Sequence, residues 1–216
     1  MKTQLKNIFF DFDGVLVESL DVKTQAFYKL YEPFGKEIAN NVANHHIENG
    51  GMSRFEKFKL YHKNYLNIDL SENEIKNLAD QFSAIVVNAV IDSPEAEGAN
   101  HFLEKYHSIF KCWIITGTPT EEIKYIVEKR NWSKYFIDMY GSPEKKDYWT
   151  EHIIKKHGLK REETIFLGDA LADYNAANKS SLTFALRTHE QNLDLFTNFN
   201  GIRFHTFKEL ETQLHL

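Results

Sequence analysis

Apolar and polar positions change rhythm along this chain, and the change divides it. Residues 7–10, Asn-Ile-Phe-Phe, begin an apolar run that predicts a strand over roughly residues 6–12. From about Glu18 to Ile91 strand signals are few and helical spacing takes over. Leu20, Phe27, Leu30 and Tyr31 fall near one helical face, and Pro33-Phe34-Gly35 stops that segment. A second helix is expected from Ile38 to Ile47, ended by Asn49-Gly50-Gly51. Ser53 is placed to cap a third, through Phe55, Phe58, Leu60 and Tyr61. Ser71-Glu72-Asn73-Glu74 has the form of a capping box, opening a helix through Ile75, Leu78, Phe82, Ile85 and Val86. Asp92-Ser93-Pro94 breaks the pattern.

From Pro94 onward short apolar runs alternate with helical ones. Helices are expected at about 95–107, 120–130, 147–157 and 171–179. Strands are expected at Lys111 to Thr116, Phe136 to Tyr140, Thr164 to Leu167 and Leu182 to Leu186, and Gly158 suits a helix C-cap. Such alternation implies parallel pairing with helices on both faces. The expected fold is therefore α/β, a Rossmann-like three-layer parallel-sheet core formed by residues 1–17 and 93–216. A small α-helical domain, residues 18–92, is inserted after the first strand.

The chain has 216 residues, enough for such a core plus a small accessory domain. Its net charge of -5 argues against a general binder of nucleic acid or anionic membranes. The first residues lack the form of a signal peptide, and no apolar run approaches membrane-spanning length, so a cytoplasmic location is expected. Cys112, the only cysteine, sits in an apolar stretch and reads as a core residue. The sequon Asn131-Trp132-Ser133 then reads as a chance match.

In open parallel sheets, ligands bind at the carboxyl ends of the strands. The first strand end carries Asp11 and Asp13, two residues apart and so able to share a face, followed by Gly14 for a sharp turn. The next offers Thr116, Gly117 and Thr118. Lys146 follows the third, and Asp169 the fourth, with Asp173 one helical turn beyond. Each has a bland reading. Asp-Phe-Asp-Gly makes an ordinary turn, Thr116 a turn hydroxyl, Lys146 a surface charge, Asp169 a helix cap and Asp173 a solvated acid. Their joint placement at successive strand ends favours a site.

The four segments Asp11-Phe12-Asp13-Gly14-Val15, Ile114-Ile115-Thr116-Gly117-Thr118, Gly141 to Lys146, and Gly168-Asp169-Ala170-Leu171-Ala172-Asp173 resemble, in order, the signature motifs of the haloacid dehalogenase superfamily. The helical insertion resembles that family's C1-type cap, as in its phosphoglycolate phosphatase and β-phosphoglucomutase-like group. The resemblance implies a Mg²⁺-dependent hydrolase of a small phosphomonoester. In it, Asp11 is nucleophile and metal ligand, and Asp13 is general acid/base and lends its backbone carbonyl to the metal. Asp169 is a further ligand and Asp173 an orienting acid. Thr116 and the Gly117 amide hold phosphate oxygens, with Thr118 beside them, and Lys146 (or its neighbour Lys145) balances the charge.

Elementary chemistry agrees with these roles. A carboxylate is ionised at neutral pH and needs no activating base. Its repulsion from a phosphate, about 4 kcal/mol for unit charges 4 Å apart at an effective dielectric of 20, calls for a hard dication. Dehalogenases of the superfamily attack carbon and lack the second aspartate, so Asp13 points to phosphate. Arg54, in the first turn after Gly50-Gly51-Met52-Ser53, is a candidate substrate ligand; Arg54 and Lys57 could equally be surface charges on an amphipathic helix. His45 and His46 form no metal set and are expected to be solvated or partly buried. The same loop resembles one in β-phosphoglucomutases and in hydrolases of surface-sugar pathways. A sugar phosphate substrate, a phosphomutase activity, and a non-catalytic regulatory role therefore stay open, as does the choice between monomer and dimer.

Overall fold

The structure is a computed structural model that describes residues 4–216. Six strands form one fully parallel sheet: β1 (Asn7–Phe10), β2 (Lys111–Pro119), β3 (Asp138–Ser142), β4 (Thr164–Gly168), β5 (Thr183–Arg187) and β6 (Ile202–Phe204), in the spatial order β3-β2-β1-β4-β5-β6. The expected α/β class holds. Because β1 lies between β2 and β4, chain direction across the sheet reverses beside it, and the carboxyl end of β1 opens onto the crevice that such a reversal leaves.

A strand covered on both faces is a nearly continuous apolar run. Ile8 and Phe10 of β1 face one buried cluster and Phe9 the other. Helices α5 (Ala99–Tyr106), α6 (Thr120–Lys129) and α9 (Phe207–Leu214) pack on the first side, and α7 (Lys146–His157) and α8 (Leu171–Lys179) on the second. Between β1 and β2 run α1 (Leu20–Tyr31), α2 (Lys36–Glu48), α3 (Arg54–Tyr61), a π-helical turn (His62–Leu66) and α4 (Glu72–Asp92). The capping box at Ser71 forms as expected, with reciprocal bonds to Glu74. Phe27, Phe58 and Phe82 join α1, α3 and α4, with Phe27 4.5 Å from Phe82 and 5.6 Å from Phe58 between ring centroids.

Differences from the sequence reading are local. The first strand stops at Phe10, so Asp11 and Asp13 lie on the loop beyond it, although the Asp11 amide still donates to Leu167 O at 2.9 Å. Strand β2 runs on to Pro119, pairing with Ser142 across a register shift. Strand β3 starts two residues later than expected because Phe136 turns inward against Phe10, 5.9 Å away, before the ladder begins. Beyond residue 187, β6 and α9 had no counterpart in the sequence reading. The signal for α9 was present, since Thr206 and Glu209 form a capping box. Cys112 is buried in the core as expected, its thiol pushed up to about 12 by burial. No helix among the described residues is long and apolar enough to cross a membrane.

The Phe27→Ala variant deletes the ring shared by three inserted helices. It should cost about 3–5 kcal/mol and lower the melting temperature by roughly 6–20 °C for a chain of this size. Scanning calorimetry reads this directly, and a loss below about 3 °C would mean the helices repack around the gap.

Candidate active site

Three carboxylates meet where β1, β4 and α8 converge. One ligand oxygen each from Asp11, Asp169 and Asp173 lie within 4.8 Å of one another, and all three residues are buried. Asp11 Oδ1 accepts from the Phe12 amide at 2.7 Å, which fixes the carboxylate's direction, while Oδ2 meets Lys146 Nζ at 2.7 Å. Lys146 also donates to Asp173 Oδ1 at 2.6 Å, and Asp173 Oδ2 accepts from the Ala170 amide at 3.1 Å. Lys146 is thus the lysine that meets the buried acids. Lys145 points outward and pairs with Glu56 at 3.2 Å.

Asp13 sits apart from this trio. Its Oδ1 accepts from Ser19 Oγ at 2.6 Å, and its Oδ2 accepts from Thr118 Oγ1 at 3.0 Å and from Lys23 Nζ. Lys23 reaches Thr118 Oγ1 as well, at 2.7 Å. Burial pushes Asp13 up, but Lys23 and the two hydroxyls outweigh it, and the group ends below its ordinary value. Asp11 goes the other way. Burial, reinforced by Asp173, Asp169 and Asp13, raises it well above the ordinary range despite Lys146. On Lys146 burial acts downward, but Asp11 and Asp173 prevail and hold it charged.

Gly14 turns the chain with φ +75°, and a Cβ there would come 2.3 Å from Asp169 Oδ2, so only glycine fits. Arg187, at the end of β5, donates to Gly14 O at 2.7 Å and pairs with Glu18, anchoring the same loop. Asp169 further meets His189 Nε2 at 2.9 Å, and its carbonyl accepts from Asn192 Nδ2 at 2.9 Å.

A small cavity of about 70 Å³ connects these groups to the inserted helices. The sheet side gives Asp11, Asp13, Thr116, Gly117, Thr118 and Asp169. The helical side gives Lys23, Phe27, His46, Arg54, Lys57 and Phe82. The two sides are in close contact: a Cβ on Gly117 would lie 2.9 Å from the Gly51 carbonyl oxygen. Arg54 lines the cavity, but its guanidinium is engaged. It holds Glu122 of α6 through two bonds of 2.9 and 2.5 Å, donates to Ser83 Oγ at 2.6 Å, and lies 4.5 Å above the Phe82 ring. Arg54 and Lys57 are 4% and 1% exposed, which removes the reading of both as surface charges.

All the site residues expected from sequence therefore gather at one end of the sheet, with Arg54 on the opposite wall. Ser19, Lys23, Glu122, His189 and Asn192 were missed. Ser19 and Lys23 stand four residues apart at the start of α1, the spacing that puts two side chains on one helical face. His189 and Asn192 follow the carboxyl end of β5, an expected strand whose end carried none of the sequence candidates.

Residues 5–180 match the family model described as a haloacid dehalogenase-like hydrolase. A phosphoglycolate phosphatase of Vibrio parahaemolyticus is 26% identical over 193 residues, covering 84% of this chain and 83% of its own. Among solved structures, a Bacteroides vulgatus protein described as a candidate β-phosphoglucomutase superposes with a TM-score of 0.75 at 18% identity, over 99% of this chain and 89% of its own. A Bacillus subtilis HAD-hydrolase, described as bound to magnesium and as revealing interdomain movement, gives 0.70 at 15% identity, over 99% and 100%. At these identities the structural likeness concerns the fold.

The site also makes a prediction about pH. Burial, aided by Lys57, Lys23 and His45, holds His46 well below its ordinary value. The unfolded chain takes up this proton near pH 6.5 while the folded chain does not. Stability contributed here is therefore present above that pH and is lost as pH falls through it. Below pH 6.5 the wild type should lose up to about 1.4 kcal/mol per pH unit more than His46→Phe, one proton's worth. Denaturant titrations of both proteins between pH 8 and 5 measure the difference, and parallel curves would refute it.

Proposed function

The chain belongs to the haloacid dehalogenase-like hydrolase family and is a phosphatase of that family, and on this premise we propose that it hydrolyses a small phosphomonoester through a covalent phosphate on Asp11, with Mg²⁺ at the acid cluster. The observation that carries the reading is the buried Asp11–Lys146–Asp173 bridge beside Asp169. Asp11, Asp13, Asp169 and Asp173 are met by the ammonium groups of Lys146 and Lys23 and by the His189 imidazole, a deficit of two positive charges when all the acids are ionised and the imidazole is neutral. One divalent cation makes up that deficit, and an oxygen-only donor set suits a hard ion. Asp11, Asp169 and the backbone carbonyl of Asp13 would hold it. When bound, the ion neutralises charge on the phosphate oxygens and on Asp11.

The chain's own residues supply the rest. An Asp11 carboxylate oxygen attacks phosphorus as the ester oxygen leaves, with Thr116 and the Gly117 amide holding phosphate oxygens and Lys146 countering the negative charge. Asp13 gives a proton to the departing alkoxide. It then takes one from the water that attacks the phosphorylated Asp11, releasing phosphate and restoring the carboxylate. Lys23 and Thr118 hold Asp13 ionised in the empty site. An incoming phosphate competes for both donors, and Asp13, so released, takes up from solvent the proton that it passes to the departing alkoxide. Asp173 positions Lys146 rather than touching substrate. Residues 18–92 act as a cap on the core of residues 1–17 and 93–216, admitting substrate and then excluding bulk water.

Phosphomutase activity is the rival with an observation behind it, because the Gly50–Arg54 loop reaches the cavity as it would to hold a second sugar hydroxyl. The engagement of Arg54 by Glu122 and Ser83 weighs towards hydrolysis. A sugar phosphate remains within the proposed substrate class.

Asp11→Asn should lower turnover of p-nitrophenyl phosphate by at least about a thousandfold while leaving the circular dichroism spectrum intact. Near-wild-type turnover would sink the assignment. EDTA should abolish activity and Mg²⁺ restore it; undiminished turnover in chelator would rule out the metal. Free phosphate as product separates hydrolysis from sugar isomer interconversion.

A further inference from the structure

Among the lysine and arginine side chains at or beside the cavity, Lys146, Lys23 and Arg54 each hold a carboxylate. Lys146 bridges Asp11 and Asp173, Lys23 holds Asp13, and Arg54 holds Glu122. Lys57, on α3 and 1% exposed, is the exception: among the described residues no carboxylate oxygen lies within 4.0 Å of its Nζ. Glu48 lines the same cavity but does not reach it. The Lys57 ammonium meets only the imidazole Nδ1 of His46 at 2.6 Å and the His46 carbonyl at 3.5 Å, with the Phe27 ring centroid 5.5 Å away. A buried ammonium without a counter-charge is costly, and proteins keep such a group charged only where something pairs with it.

We propose that Lys57 and His46 form a subsite for an anion, so that the preferred substrate is a small phosphomonoester carrying a second acidic group. This rests on the phosphatase reading and narrows its substrate. The phosphate is claimed by the strand ends, where Asp11, Thr116 and Gly117 lie, while Lys57 and His46 belong to the helical wall and face the rest of the molecule. With Lys57 donating to Nδ1, the His46 proton is carried on Nε2, a second donor on a residue that lines the cavity. Burial, with Lys23 and Lys146 nearby, holds Lys57 well below its ordinary value, so the ammonium is disfavoured while the subsite is empty. An anion bound there supplies the missing partner and favours the ammonium. A carboxylate and a second phosphate share this chemistry.

Two matched substrate pairs provide the test: 2-phosphoglycolate against 2-hydroxyethyl phosphate, and glucose 1,6-bisphosphate against glucose 1-phosphate. The wild type should favour the acidic member of at least one pair by about tenfold or more in kcat/KM, the effect of one charge-assisted contact. The pair that responds identifies carboxylate or phosphate as the anion. Lys57→Met should cut that preference by a similar factor and Lys57→Arg should recover part of it. Loss of the buried ammonium should also leave the melting temperature of Lys57→Met at or above that of the wild type. Absence of any preference in the wild type would overturn the proposal, as would an unchanged ratio in folded Lys57→Met. Calorimetric binding of the same four esters to Asp11→Asn keeps the two readings separate. Anion-selective binding without turnover in the wild type would defeat the phosphatase reading alone, and turnover without selectivity would defeat the subsite alone. Should Lys57→Met fail to fold, the wild-type ratios and Lys57→Arg decide the question.

Discussion

Everything at the carboxyl end of the sheet depends on the bridge that buried Lys146 makes between Asp11 and Asp173. Its two acids come from distant points of the chain, the end of β1 and the start of α8, and burial drives both towards protonation. One ammonium shared between them favours the ionised carboxylates away from bulk water. Removing it would leave buried acids without compensation, which costs more than the bridge itself contributes. The sheet order makes the encounter possible, since β4 lies directly against β1 and Asp11 extends that pairing through Leu167.

The second set of polar contacts ties this acid cluster to the inserted helices. Lys23 reaches from α1 to Asp13 and Thr118, Arg54 from α3 to Glu122, and the Gly51 carbonyl rests against Gly117. A substrate therefore has to part contacts as well as make them. The bond from Lys23 to Asp13 is the one whose exchange would have chemical consequence, because Lys23 helps to hold Asp13 below its ordinary value. Arg130 adds a fixed point, donating to the carbonyls of Val90, Ile91 and Ser93 where the inserted segment rejoins the sheet. Motion of the helices is thereby restrained near that junction.

The sequence was most legible where local rules and global fold agree. Strand ends could be counted, and Asp11, Asp13, Thr116, Lys146, Asp169 and Asp173 lie together because parallel strands present their carboxyl ends on one side. Lys146 could be preferred over Lys145 but not distinguished by pattern, since only the angle at which α7 leaves β3 turns one inward. The extent of β3 was misread because Phe136 is apolar for packing rather than for pairing. Arg54 and Lys57 were ambiguous because helical spacing shows which residues share a face, not what covers that face. Glu122 and Ser83 cover Arg54 from elements 68 and 29 residues away. Short edge elements such as β6, three residues long, carry too little periodicity to stand out.

The cavity's cations divide by partner, and the division carries meaning. Where a protein only needs to bury a charge, it supplies an opposing one from its own chain, as it does for Lys146, Lys23 and Arg54. Lys57 instead has a neutral imidazole beside it and an aromatic ring near it, at a standing cost to stability. Residues that cost stability persist where function uses the unmet need. The acid cluster shows the same logic with the sign reversed: fully ionised, its four acids would exceed its two lysines by two negative charges. One end of the cavity lacks positive charge and the other lacks negative charge. A phosphate ester with a second acid group, bound together with a dication, would satisfy both ends at once.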